Sequence, residues 1–110
     1  MNDYARAARA ALGERLTSRV FSDHALPDGD HRGPIDFLEM EADERFKWLS
    51  TGERALFYFA WSIYTAHDGI ALRHDAGIND LLLVLDVETF QGVLAAIAIR
   101  AGVEMSTVRL

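Results

Sequence analysis

The chain has no cysteine in its 110 residues. That excludes thiol chemistry, disulfide staples and the cysteine-rich zinc sites, and it removes the commonest mark of a small secreted fold. Long apolar runs are missing too: the longest, such as Val93 to Ile99, fall far short of the roughly 18 to 20 residues a membrane helix requires. The first twenty residues spread Arg6, Arg9, Arg15 and Arg19 through an alanine-rich run without an apolar block, so no secretion signal is read there. Basic residues are few, 11 Lys and Arg against 17 Asp and Glu, for a net charge of -6. Nucleic-acid affinity rests largely on phosphate neutralisation, and no basic stripe supplies it. The expectation is a soluble cytoplasmic protein with neither a nucleic-acid nor a membrane partner.

What is present is globular in kind. The chain is 50% hydrophobic and 25% charged, and its length suits a single domain, residues 1–110, with a real core. The acidity is concentrated: residues 21–44 hold Asp23, Asp28, Asp30, Asp36, Glu39, Glu41, Asp43 and Glu44 against the single Arg32.

Ser50 to His67, STGERALFYFAWSIYTAH, carries the strongest helical pattern. Ser50 followed three residues later by Glu53 is a capping box, and Gly69 offers a left-handed stop. Leu56, Phe59, Ala60 and Ile63 repeat at helical spacing on one face, and Phe57, Trp61 and Tyr64 on another, so apolar surface covers most of the circumference. This helix is expected at the centre of the core, with Trp61 buried. A first helix is expected from Asn2 or Asp3 to about Phe21, with Tyr4, Ala8, Leu12, Leu16 and Val20 inward. Ser22 to Pro34 reads as a loop, and Asp36 to Leu49 as a second helix burying Leu38, Ala42, Phe46 and Leu49. A short apolar segment, Leu81 to Leu85, follows Asn79 or Asp80. Asp86 caps the last helix, Val87 to Ala101, which stops at Gly102. There Val87, Phe90, Leu94, Ile97 and Ala101 form a seam of threes and fours, extended by Val93, Ala96 and Ile99. The fold class predicted is all-α, one compact bundle of four to five helices. Two helices this apolar exceed what a small bundle hides at its centre, which points to a homodimer.

Asp28 to Glu39, DGDHRGPIDFLE, resembles the twelve-residue calcium loop of the EF-hand family. Asp28 and Asp30 match loop positions one and three, Gly33 six, Ile35 eight, Asp36 nine and Glu39 twelve. The resemblance implies a single, degenerate calcium site with Asp28, Asp30, Asp36 and Glu39 as metal ligands, since calcium takes six to eight oxygens. Arg32 stands where the family places an oxygen ligand. Pro34 restrains Gly33, and Pro27 keeps a regular helix from entering the loop. Affinity of such a site would be weak. The alternative for the same residues is an acidic surface loop in which Asp36 caps the second helix and Glu39 completes a capping box.

Leu49 to Glu53, LSTGE, is similar to the signature motif of ABC-class ATPases, and Leu81 to Asp86, LLLVLD, looks like their Walker B strand with its magnesium-binding aspartate. No G-x-x-x-x-G-K-[ST] occurs to hold a triphosphate, and Val87 stands where the family has its catalytic glutamate, so the chain alone is not such an enzyme. His67-Asp68 and His74-Asp75 repeat at a spacing of seven, a pairing that can hold zinc or iron, with Gly69 interrupting it. No serine lies in a nucleophile elbow and no carboxylate pair sits in an apolar setting. The sequence therefore predicts a non-enzymatic interaction or regulatory protein that presents an acidic segment to a basic protein partner. A calcium-binding module is its alternative.

Overall fold

The computed structural model describes residues 3–17, 35–66 and 78–103. Among them the chain is all-helical, with no strand. The elements are α1 (Asp3–Thr17), α2 (Phe37–Ala42), a 3-10 helix η1 (Glu44–Trp48), α3 (Thr51–Thr65), α4 (Ile78–Leu82) and α5 (Val87–Ala101).

The caps of the long helices form as the residue types dictate. Ser50 Oγ accepts the Glu53 N–H at 3.1 Å, and Glu53 Oε1 accepts the Ser50 N–H at 2.9 Å, closing both halves of the capping box on α3. Asp86 Oδ1 accepts the Thr89 N–H at 2.8 Å to start α5, and Gly102 ends it at φ 74°, ψ 26°. α3, in contrast, ends at Ala66, a non-glycine in the left-handed region at φ 56°, ψ 38°. The stop thus comes before Gly69, which lies outside the described residues.

α1 is not the single regular helix its alanines suggest. Gly13 adopts φ 64°, ψ 177° and kinks it, a conformation open to glycine because no Cβ is present. The part expected between residues 18 and 21 lies outside the described residues. Ala8, Leu12 and Leu16 are fully buried as their spacing predicts, joined by Ala5, Ala7 and Ala11. Tyr4 stays at the rim beneath the Arg100 guanidinium, 3.8 Å from its ring centre.

α1 packs chiefly along α5 and then against α3. The α1–α5 approach is close because both surfaces are small. A Cβ on Gly92 would lie 2.5 Å from the Ala10 carbonyl oxygen, and Ala96, four residues further along α5, is fully buried. α4 is drawn onto α3 in the same manner, a Cβ on Gly52 falling 2.9 Å from Val84 Cβ and 3.2 Å from the Asp80 carbonyl oxygen.

The centre of the core is aromatic. Phe57 is fully buried, Trp61 6% exposed, and Phe37 from α2 lies parallel to Trp61 with ring centres 5.7 Å apart. Phe57 meets Phe37 edge-on at 5.4 Å and Phe46 at 5.1 Å, so one α3 residue receives both α2 and η1. The expected central position of α3 and burial of Trp61 are both found.

Two expected buried faces are turned around. In place of one helix from Asp36 to Leu49, Asp43 sits in extended backbone (φ -68°, ψ 139°), closing α2 and capping η1. α2 buries Phe37 and Met40, leaving Leu38 68% exposed and Ala42 exposed; Phe46 is half-buried and Leu49 buried as expected. On α5 the seam of threes and fours faces outward. Val87 is 73%, Phe90 39% and Ile97 48% exposed, Ala101 is exposed and Leu94 half-buried, while Val93 and Ala96 pack inward.

Candidate functional site

The acidic segment is the feature to which the sequence attaches function, and five of its acids lie among the described residues. Three of the five take part in folding. Asp36 is the N-cap of α2, its Oδ1 accepting the Glu39 N–H at 3.0 Å. Glu41 Oε2 accepts the Tyr58 hydroxyl at 2.7 Å, tying α2 to the middle of α3. Asp43 accepts the Arg45 N–H at 2.8 Å and meets the Arg45 guanidinium twice, Nε to Oδ1 at 2.9 Å and Nη2 to Oδ2 at 2.7 Å. Its charge is thereby matched within the turn. Glu39 and Glu44 point to solvent, as does Asp36.

Of the calcium-ligand set, the structure brings Asp36 and Glu39 together at the start of α2 through a helix cap. Asp28 and Asp30, with Arg32, Gly33 and Pro34, lie outside the described residues. Among the described residues no group of three or more His, Asp or Glu is placed to hold a metal ion. His24, His31, and the His67-Asp68 and His74-Asp75 pairs also lie outside them.

Both ATPase-like stretches have local structural roles. In Leu49 to Glu53, Ser50 and Glu53 are the capping box of α3, and Gly52 admits α4. Leu81 to Asp86 is the end of α4, a turn and the N-cap of α5, and forms no strand.

Sequence patterning missed the two large apolar side chains of α2 and η1 that face solvent most fully. Leu38 was expected in the core and Trp48 had no assigned role; each is 68% exposed. The reason for Trp48 is the three-residue turn of η1. Residues three apart align in a 3-10 helix, so Phe46 and Leu49 turn inward together and Trp48 falls a third of a turn away. For Leu38, Phe37 and Met40 already define the inward side of a helix only six residues long. The signal available was the charge around them: Leu38 adjoins Glu39, and Trp48 adjoins Lys47.

No family model, curated protein or solved structure matches the chain. No helix among the described residues is long and apolar enough to cross a membrane.

Proposed function

We propose that this is a non-enzymatic helical interaction protein whose α2–η1 segment binds a basic protein partner. The observation that carries the reading is the exposure of Leu38 and Trp48, 68% each, on a segment that also turns Asp36, Glu39 and Glu44 to solvent. Isolated exposed apolar residues are ordinary. An exposed leucine among the acids of α2 and an exposed tryptophan on the η1 helix that follows it supply aromatic and aliphatic bulk for affinity, with the acids Asp36, Glu39 and Glu44 for steering. The segment is held firmly from behind by Phe37 and Phe46 against Phe57 and by the Tyr58–Glu41 bond, so it offers a preorganised surface.

The calcium reading of the same residues has less support. Among the described residues it rests on Asp36 and Glu39, and Asp36 already accepts the Glu39 N–H.

The test is affinity capture from the native host with the wild-type chain, Trp48→Ser, Leu38→Ser and the pair Glu39→Lys/Glu44→Lys as baits. The expected result is a basic protein held by wild type and lost from all three variants, whose circular dichroism matches wild type. Equal retention by wild type and all variants would count against this surface.

A further inference from the structure

We draw no further inference here: the strongest candidate, the outward apolar face of α5 that exposes Val87, Phe90 and Ile97, carries nothing because nothing in the structure shows what covers it.

Discussion

Glu41 accepts the hydroxyl of Tyr58 at 2.7 Å, so an acid from the most acidic stretch of the chain fastens that stretch to the central helix. Tyr58 is 7% exposed and Glu41 half-buried, and the bond spans seventeen positions of sequence. The charge of the segment thus serves two ends: Glu41 and Asp43 hold it in place, and Glu39 and Glu44 face outward.

Removing the hydroxyl tests the first of these. Tyr58→Phe keeps the ring and should lower unfolding free energy by about 1–2 kcal/mol, the range for a hydrogen bond to a charged acceptor. Urea denaturation measures it. A curve superimposable on wild type would mean that Glu41 exchanges this donor for water without loss.

Trp61→Ala empties the middle of the aromatic cluster, where Trp61 lies parallel to Phe37 and edge-on to Phe57. The expected cost is about 3–5 kcal/mol, the usual range for truncating a large buried aromatic. A loss near zero in a denaturant melt would show that the cluster does not hold α2 to α3.

Gly92→Ala adds one methyl group where α1 and α5 meet, 2.5 Å from the Ala10 carbonyl oxygen. Alanine favours helix by about 1 kcal/mol over glycine, but the helices must part to admit it, and overpacking costs about 1–3 kcal/mol or more. A net fall in melting temperature is expected. A rise would show that α1 yields freely.

Melting in millimolar calcium, in millimolar magnesium and with chelator separates the two readings of the acidic segment, because an ion held by the folded state alone raises its stability. Equal melting temperatures are expected for wild type, Glu39→Gln and Arg32→Asp. A calcium-specific rise that Glu39→Gln abolishes would move the function to ion binding.

How far these features were legible in the sequence depends on whether local chemistry or the partner surface decides them. The all-helical class, the Ser50–Glu53 box, the Asp86 cap and the Gly102 stop are set by neighbours in sequence, and they appear where residue type predicts. The Asp43 break was hidden because Leu38, Ala42, Phe46 and Leu49 make a passable helical stripe. The kink at Gly13 was hidden by the alanines around it. The α5 face was misread for a different reason: bulk in a seam suggests core, whereas α1 offers an alanine surface against which Gly92 and Ala96 pack more closely than Phe90 or Ile97 could. Of the proposed contact surface only the acidity was legible, since the outward turn of Leu38 and Trp48 follows from their neighbours Phe37 and Phe46 reaching Phe57 in the core.

The most direct measurement of the central claim is the fluorescence of Trp48 as the captured basic protein is titrated onto the chain. Trp61 is already buried and changes little on binding, whereas Trp48 is 68% exposed. A shift of emission to shorter wavelength is expected, absent in Trp48→Phe and reversed by about 0.5 M salt, which screens the contacts of Glu39 and Glu44. Unchanged emission at saturating partner, or the same shift in Trp48→Phe, would contradict the account.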